Sequence, residues 1–425
     1  MSTDRAPATL ESAFAGVADN YRGSDVDLHA LYRQMRRDTP VIEGNFMGKL
    51  GVPNIAGHDA QRRTFTVFGY RDTMAVLRDA THYTSGFIAE GLGAFFDGLI
   101  LTGMDGEDHR RARALLQPIF MPEVVNRWRP KMDAIVRKEY LLPIVAQRRG
   151  DLMDFALHFP IRLIYALIGF PDDEPEQVEQ YATWALAILA GPQVDPEKAA
   201  QARGAAMAAA QSLYDAIKIA VVRRRAEGFE TGDDLISRLL RAEYEGQKLD
   251  DHQVTTFVRA LLPAAGETTT RTFGSLMTLL LERPEVLARV RADRSLVAKA
   301  IDEAVRFEPV ATFKVRQAAK DVEIGGVQIP QGSMVQCIVS SANRDEEAFE
   351  HSETFDIDRK PKPSFGFGFG PHMCIGQFIA KTELTVALNA VLDLLPNVRL
   401  DPSQPAPKIT GAQLRGPHEL HVIWD

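Results

Sequence analysis

The chain has 425 residues, of which 45% are hydrophobic and 25% charged, and its formal net charge is −8. This composition can bury a substantial core, and the acidic balance argues weakly against nucleic acid as the main partner. The only two cysteines, Cys337 and Cys374, are too few for an all-cysteine iron–sulfur cluster or a four-cysteine zinc site. They could in principle form a disulfide, although a lone pair in a large intracellular chain is usually reduced.

The first residues, "MSTDRAPATLESAFAG", contain no long apolar run and no secretory hydrophobic region. No stretch approaches the roughly 20 apolar residues of a membrane span, so we expect a cytoplasmic protein without a membrane anchor. No Gly/Ser linker or repeat divides the chain, which predicts a single domain over residues 1–425 and, we expect, a monomer. The first ~20 residues could be disordered, as termini often are.

Apolar residues at helical spacing dominate the sequence. They occur in "DLHALYRQMRRD", "RDTMAVLRDA", "HRRARALLQPIF", "RWRPKMDAIVRKEYLLPIVAQRRG" and the alanine-rich run 197–227. Strand signals are fewer: "TFTVFG" alternates, "VEIGGVQI" predicts a hairpin around Gly-Gly, and "MVQCIV" and "HELHVIW" are further candidates. The expected fold class is mostly α with a small β portion.

One predicted helix, residues 251–283, is unusually long and has a weak middle, "PAAGETTT". Pro263 removes a backbone hydrogen bond, and Gly266 followed by three threonines lowers the helix propensity further. A kink with room for a ligand is one interpretation. The other is a tolerated kink in which threonine hydroxyls bond back to carbonyls, and this segment alone favours the second.

Glycines and phenylalanines surround one of the two cysteines in "SFGFGFGPHMCIG", residues 364–376. Glycine supplies no packing for a buried thiol, so either a bulky group lies against this backbone or its φ angles are positive. Pro371 stops the segment from continuing as regular strand or helix. The pattern predicts a loop that holds Cys374 toward a large flat partner. Cys337, in an apolar strand pattern, is expected to be a buried, inert thiol.

"FGFGPHMCIG" resembles the haem-binding loop of the cytochrome P-450 superfamily, and "AAGETT" (264–269) resembles that family's oxygen-binding motif. Ala265 stands where the family usually has glycine, and its methyl group could narrow the oxygen groove. The resemblance implies a cytochrome P-450 fold, with a long kinked central helix over haem b. It covers most of the chain, from about Thr64 to the C-terminus.

The resemblance also implies roles for individual residues. Cys374 would be the iron ligand, as thiolate, and Glu267 and Thr268 the catalytic acid–alcohol pair that delivers protons to bound O₂. The further haem-binding residues would be His109, Arg113, Ala264, Arg316, Phe367, His372 and Gly376. Glu303 and Arg306, the family's Glu-x-x-Arg pair, would be structural.

The activity that the resemblance implies is that of a monooxygenase, which inserts one atom of O₂ into a C–H bond. Electrons would come from NAD(P)H through a ferredoxin reductase and a ferredoxin. A basic patch for the ferredoxin is expected from Arg110, Arg111, Arg344, Arg359, Lys360, Lys362 and Lys381. An H₂O₂-using peroxygenase is the first alternative, although such family members generally lack the acid–alcohol pair. A non-catalytic haem sensor is the second, although no output module is evident.

The substrate is the least determined part of the interpretation. The stretch 85–103 has the Gly/Phe mix of a mobile loop at a pocket. The candidate pocket residues are Phe87, Phe95, Phe96, Leu262 and Phe313, each of which could equally be ordinary core. They predict a small-to-medium hydrophobic substrate, such as a terpenoid, steroid or aromatic compound.

Overall fold

This computed structural model describes residues 9–54, 61–96, 101–170 and 175–425. The helices in this part of the chain are α1 (Leu10–Asn20), α2 (Leu28–Asp38), α3 (Phe46–Lys49), α4 (Tyr70–Arg78), α5 (Ile88–Gly91), α6 (Gly106–Leu116), α7 (Pro122–Ile135), α8 (Leu152–Ile168), α9 (Pro175–Leu189), α10 (Pro196–Glu227), α11 (Leu235–Arg241), α12 (Asp251–Leu281), α13 (Pro284–Ala292), α14 (Leu296–Phe307), α15 (Val339–Ala342) and α16 (Gln377–Leu394). Each of the five predicted helical segments overlaps one of them, so the mostly helical fold class is confirmed.

The strands of the described residues are short, and five of the twelve form the main sheet. They are β1 (Val41–Glu43), β2 (Thr64–Val67), β3 (Tyr83–Thr84), β4 (Arg149–Asp151), β5 (Glu243–Tyr244), β6 (Gln247–Lys248), β7 (Lys314–Ala318), β8 (Val322–Ile324), β9 (Val327–Ile329), β10 (Met334–Cys337), β11 (Arg399–Leu400) and β12 (His421–Ile423). The main sheet has the order β1-β2-β10-β7-β3, with β10 parallel to β2 and antiparallel to β7. The predicted hairpin is β8–β9.

Helix α12 begins with a capping box, in which the Asp250 side chain accepts from the Gln253 backbone and the Gln253 side chain accepts from Asp250. It continues through Pro263 to Leu281 and packs against α8, α9, α10, α14 and α16. A Cβ on Gly266 would lie 3.1 Å from Ile161 of α8. The small residue at 266 therefore lets two helices approach closely, which is packing within the chain rather than room for a ligand.

The threonines of α12 bond back to carbonyls of their own helix, as the second interpretation of this segment expects. The Thr268 hydroxyl donates to the Ala264 carbonyl at 2.7 Å, and the Thr272 hydroxyl donates to the Thr268 carbonyl at 2.7 Å. These bonds occupy the hydroxyl protons without ending the helix. The lone pairs of each hydroxyl oxygen remain available to accept a hydrogen bond.

The N-terminal segment is more ordered than the sequence suggested. Residues 1–8 lie outside the described part, but Leu10–Asn20 forms α1, capped by the Thr9 side chain and packed on α9 through Phe14 and Val17. Disorder over the first ~20 residues is therefore wrong from Leu10 onward, because these apolar side chains reach the core.

The expectation about membrane spans also needs a correction. Helix α10, one candidate among the described residues, is long and apolar enough to cross a membrane by length and composition. Its alanines raise the mean hydropathy, and one side, including Leu213, Ile217 and Val221, is buried against the neighbouring helices. Core helices of soluble proteins pass the same test, so this is weak support for a span.

Candidate active site

The loop that precedes Cys374 is shaped by glycines packed against the chain itself. A Cβ on Gly366 would overlap Val305 of α14, and one on Gly370, where φ is +70°, would overlap the Leu77 carbonyl of α4. Of the two alternatives expected for these glycines, a positive φ holds at Gly370 and also at Gly368, where φ is +75°, while the close neighbours of Gly366 and Gly370 belong to the protein itself. The Cys374 N–H donates to the Phe367 carbonyl at 2.8 Å, which fixes the direction of the cysteine.

The Cys374 side chain opens into a large internal cavity of about 530 Å³. Protein surrounds the thiol on its other sides, and burial raises its pKa. The second cysteine, Cys337, is fully buried in β10, where burial raises its pKa to about 12, and both thiols are free. The two predicted cysteine environments, one facing a partner and one inert, differ as expected.

Most of the cavity wall is apolar and comes from α12 and the segments around it. The lining includes Ala264, Ala265, Thr268, Thr269, Thr272, Leu261, Phe257, Phe120, Phe87, Phe313, Val310 and Leu414. Phe367, Gly368 and Gly376 line it beside the cysteine. The central helix and the cysteine loop, two segments 100 residues apart in the sequence, thus share one cavity.

Four basic side chains from three segments meet at the cavity wall. His109 and Arg113 come from α6, Arg316 from β7 and His372 from the cysteine loop. The rings of His109 and His372 lie 4.2 Å apart, and an Arg113 N–H donates to the Met373 carbonyl at 2.8 Å. All four residues predicted to contact haem propionates are therefore brought together.

Two buried nitrogens of this cluster lack a hydrogen-bond partner in the described chain, the Nε2 atoms of His109 and His372. The nearest carboxylate to His372 Nε2 is that of Asp105, at 3.7 Å, which is too far for a hydrogen bond. Burial, with the charges of His372 and Arg113, lowers the pKa of His109 to about 4. Unpaired polar atoms at this density call for acidic groups from outside the chain.

Comparison with known proteins gives the same assignment. Residues 56–414 match the family model "Cytochrome P450" (cytochrome P-450). The chain is 31% identical over 404 residues to cyclomarin C epoxidase of Salinispora arenicola, covering 93% of this chain and 96% of that protein. It is 33% identical over 415 residues to nocardicin C N-oxygenase of Nocardia uniformis, covering 94% and 96%.

The chain is a cytochrome P-450. Its structure is similar to that of CYP109E1 from Bacillus megaterium in complex with testosterone, with a TM-score of 0.79 and 27% identity over 94% of this chain and 100% of that one. The protein is therefore an oxygen-incorporating oxidoreductase with the fold of the soluble bacterial members of the family.

The residues present fit the family's haem. A thiol faces the cavity as the single soft ligand that haem iron needs on this side, and two arginines and two buried histidine nitrogens stand ready for two carboxylates. Cys374 would hold the iron, and Arg113, Arg316, His109 and His372 the propionates. Ala264, Phe367 and Gly376 line the same cavity, as predicted for haem contacts.

The acid of the predicted catalytic pair does not lie in the cavity of this cytochrome P-450. Thr268 lines the cavity, but Glu267 is turned away and fully buried, and its Oε1 accepts from Arg271 Nε at 2.5 Å. The Arg271 guanidinium in turn lies over the Phe14 ring of α1, 4.5 Å from its centroid. Neighbouring residues of a helix point about 100° apart, and here Thr268 and Thr269 lie on the cavity side of α12 while Glu267 does not. Glu267 is therefore not a solvated surface carboxylate either.

A second buried carboxyl does line the cavity, and sequence reasoning missed it. Glu383 of α16 is 3% exposed, accepts a hydrogen bond from the Thr269 side chain, and has its pKa raised to about 8 by burial. The signal was present in "CIGQFIAKTELTVAL", where Glu383 interrupts the apolar face formed by Ile379, Val386 and Ala387. A charge on a buried stripe marks a functional position more often than a structural one.

A buried lysine of the cavity was missed as well. Lys314 begins β7, two residues before Arg316, and alternate residues of a strand point to the same face. Burial lowers its pKa, while Cys374 acts in the opposite direction. Sequence reasoning placed the neighbouring Phe313 at the pocket but did not continue to the charged residue beside it.

The predicted substrate pocket is right in part. Phe87 and Phe313 line the cavity. Phe95 and Phe96 are core residues, and Phe96 lies under the Arg259 guanidinium, 5.7 Å away. Leu262 is also core, because the neighbouring Leu261 occupies the cavity-facing position of α12. The stretch 85–103 contains α5 and short helical turns, while residues 97–100 lie outside the described part.

The Glu-x-x-Arg pair is buried and fully bonded. Glu303 and Arg306 of α14 meet at 2.7 Å, and Arg306 also donates to the carbonyls of Asn343, Ser352 and Thr354. These carbonyls belong to the segment that leads to the cysteine loop. The geometry supports the structural role that the resemblance implied.

The predicted basic patch loses two members. Arg344 is 5% exposed and bound to Glu308 at 2.6 Å, and the Arg359 side chain is 12% exposed and contacts Glu303. Arg110 and Arg111 are exposed but both bind Glu107, and Lys381 binds Asp302. Lys360 and Lys362 are exposed. Arg344 and Arg359 cannot contact a docked protein as surface charges do, because they fasten buried loops.

Proposed function

We propose that this cytochrome P-450 hydroxylates a small-to-medium hydrophobic molecule, with electrons from NAD(P)H. One oxygen atom of O₂ would enter a C–H bond, and the other would leave as water after taking up two electrons and two protons. The observation that carries the proposal is the shared cavity, in which the Cys374 thiol and the Thr268 hydroxyl meet a mostly apolar wall. Bound haem would supply the iron that activates O₂.

The chain's own residues would handle the protons. The Thr268 hydroxyl donates to Ala264, so its oxygen is free to accept from a water in the cavity. Glu383 is bonded to Thr269 and, with a pKa of about 8, holds a proton near neutral pH, as a general acid must. Glu267 does not face the cavity, so it would act from another side of α12, through its ion pair with Arg271.

The apolar wall supports the hydrophobic substrate. The side chains of Leu261, Phe87 and Phe313 are aliphatic or aromatic and carry no hydrogen-bonding group. The relative from Salinispora arenicola is named as an epoxidase of cyclomarin C, and the neighbour from Bacillus megaterium was solved with testosterone. A terpenoid, steroid or aromatic body agrees with the wall, and a steroid is the ligand of that neighbour.

Electrons would reach the haem from a ferredoxin, reduced by a ferredoxin reductase. The exposed cations left in the predicted patch are Arg110, Arg111, Lys360 and Lys362. An acidic ferredoxin would be attracted to them, so the rate of reduction should fall as ionic strength rises. A rate that does not depend on salt would remove the patch from the proposal.

We further infer a monomeric, single-domain, cytoplasmic enzyme.

Reconstitution tests the whole proposal. Purified holoenzyme with ferredoxin, reductase, NAD(P)H and a hydrophobic ligand that shifts the haem Soret band should consume O₂ and form a hydroxylated product. The matched reaction supplies H₂O₂ in place of O₂ and reductant. Product from peroxide alone would assign a peroxygenase, and ligand binding with no product under either condition would assign a sensor.

A further inference from the structure

A turn near the C-terminus places Gln413 and Leu414 in the cavity wall. The Gln413 N–H donates to the Tyr21 carbonyl at 3.2 Å, which holds the turn on one side. The Arg415 N–H donates to the Val310 carbonyl at 2.8 Å, which holds it on the other. Leu414 has a φ of +51°, in the left-handed region that leucine rarely adopts. Such backbone persists only where the surrounding fold imposes it, and it clusters at ligand sites.

The side-chain amide of Gln413 has a fixed orientation. The Thr312 backbone N–H donates to Gln413 Oε1 at 2.8 Å, and the Thr312 hydroxyl lies 2.9 Å from the same oxygen. A backbone N–H can only donate, so the oxygen of the amide, and not its nitrogen, faces Thr312. The Nε2 atom of Gln413 is therefore turned away from Thr312.

This Nε2 atom is a hydrogen-bond donor that the chain leaves without an acceptor. Among the described residues it makes no hydrogen bond, because both side-chain contacts of Gln413 are those of Oε1. Gln413 is 6% exposed, yet Nε2 is not sealed in by protein. Since the residue lines the cavity, the accessible side of Nε2 opens into it. A largely buried N–H without an acceptor is costly, so it indicates an acceptor from outside the chain.

The surroundings of Nε2 favour a neutral acceptor. Val310, Phe313 and Leu414 line the cavity in the same two segments and are apolar. A carbonyl oxygen gives up little hydration there, whereas a carboxylate loses far more than one neutral donor returns. A hydroxyl would also leave its own proton unpaired against this apolar surface. A carbonyl oxygen, which only accepts, is the best match.

We propose that Gln413 Nε2 donates a hydrogen bond to a carbonyl oxygen of the substrate. The natural substrate is then an apolar body that carries a ketone, ester or lactone carbonyl. This inference rests on the proposed function and narrows its substrate class. One donor in an apolar wall fixes which end of the substrate lies at this wall, and so which C–H bond is oxidised. Because Thr312 already holds the amide, binding orders little of the protein.

The test compares ketones with hydrocarbons of the same skeleton in Soret titrations of the holoenzyme. The pairs are cyclododecanone with cyclododecane, decalone with decalin, and phenylcyclohexanone with phenylcyclohexane. The measured quantity is the affinity for each ketone divided by that for its hydrocarbon. This ratio should fall about two- to tenfold in Gln413→Met, the range of one neutral hydrogen bond. A ratio that does not change, or a Soret shift with the hydrocarbons and none with the ketones, would overturn the inference.

Gln404→Met is the matched control. Gln404 is exposed and lies in the same C-terminal segment, so its loss should leave the wild-type ratio unchanged. A fall in the ratio as large as that of Gln413→Met would show that the effect does not come from the cavity, and the inference would fail.

A second measurement needs no variant, because methionine at 413 also removes the acceptor of the Thr312 N–H and lowers stability. Isotope-edited infrared spectra of wild-type holoenzyme with carbon-13 carbonyl-labelled cyclododecanone report the hydrogen bond directly. The carbonyl stretch should lie at a lower frequency than in an alkane solvent. A frequency equal to that in alkane would mean that no donor meets the carbonyl. Where Gln413→Met folds, a lowered frequency that persists in it would assign the bond to another donor. Either result refutes the inference.

The two levels of the proposal fail differently. If ligands are oxygenated with O₂ and reductant but the ketone ratio does not depend on Gln413, only the carbonyl inference is lost. If the hydrogen bond is found but no ligand is oxygenated under any condition, the monooxygenase proposal is lost and Gln413 remains a ligand-binding residue.

Discussion

Two groups of buried charge in this cytochrome P-450 differ in whether the chain completes them. In the first, behind the cysteine loop, Glu308 accepts from Arg344 and Arg415 at 2.6 Å each and lies 3.0 Å from His29. In the second, at the cavity, the Nε2 atoms of His109 and His372 have no hydrogen-bond partner among the described residues.

The difference separates scaffold from binding site. Charges that bind each other across the fold hold loops in place and need nothing further. Groups that line a cavity without partners are available to bind something from outside the chain, here the haem, the substrate and the protons of the reaction. We expect the largest effects where the paired charges of the scaffold are broken.

The largest effect is expected from Arg306→Met. Arg306 is fully paired, so its loss leaves buried Glu303 with Arg359, at 3.3 Å, as its remaining counter-charge and frees three loop carbonyls. Breaking such a pair costs about 3–5 kcal/mol of folding free energy. Urea unfolding of the holoenzyme measures it. Arg289→Met, whose pair with Asp358 is half exposed, is the control and should cost about 0–1 kcal/mol. Equal losses in the two variants would refute the scaffold role.

At the cavity, buried Glu383 should give the free energy of unfolding a pH dependence of unusual sign. Its carboxyl, ordinarily near 4.5, has a pKa of about 8 in the folded protein, so between these pH values it is protonated when folded and ionised when unfolded. The free energy of unfolding therefore falls as pH rises from about 4.5 to about 8. Glu308 contributes the opposite trend, because its partners hold its pKa below the usual range and its stabilisation is lost on acidification.

Glu383→Gln should remove the alkaline penalty. Relative to wild type, its stability should improve on going from pH 5 to pH 8 by up to a few kcal/mol. Thermal unfolding across this range gives the difference, with the exposed Glu350→Gln as control. A stability difference between Glu383→Gln and wild type that does not change with pH would show that Glu383 is ionised in the fold.

Two adjacent leucines of α12 offer a matched test of the cavity wall. Leu262→Ala should cost about 2–5 kcal/mol of stability, since it empties a packed core position, and leave ligand affinity unchanged. Leu261→Ala should weaken binding of an apolar ligand severalfold in Soret titrations, with a smaller loss of stability. If Leu261→Ala instead lost the stability and Leu262→Ala lost the ligand affinity, Leu262 rather than Leu261 would line the cavity.

The smallest effect is expected at Thr268. Thr268→Ala should still consume O₂ and NAD(P)H, but the product formed per O₂ should fall severalfold and released H₂O₂ should rise, because the hydroxyl no longer holds a water for proton delivery. Thr268→Ser should recover most of the coupling. Unchanged coupling in Thr268→Ala would assign proton delivery to Thr269 and Glu383.

The sequence was informative wherever a local pattern carried the answer. The cysteine loop, the Glu-x-x-Arg pair and the long helix are local, and each lies in the structure as predicted. Rotation about the helix axis was not readable to one residue, which is why Leu262 was chosen over Leu261. Propensity could not settle a one-residue rotation, because the neighbouring helices decide it.

Pairings across the fold were beyond sequence reasoning for a different reason. Glu308 and Arg415 are 107 residues apart, and nothing in their local sequence indicates that they meet. Arg344 was mistaken for a surface charge on the same ground. Lys314 and Glu383 could have been noticed as charges in apolar stretches, but only the structure shows that both line the cavity.

The account depends most on Cys374 as the ligand of haem iron. The reduced carbon monoxide adduct of the holoenzyme should show the red-shifted absorption of a thiolate-bound haem, and Cys374→Ser should lose it, while Cys337→Ser, at the buried strand cysteine, should keep it. A wild-type adduct without the shift after haem loading, or an unchanged spectrum in Cys374→Ser, would contradict the account.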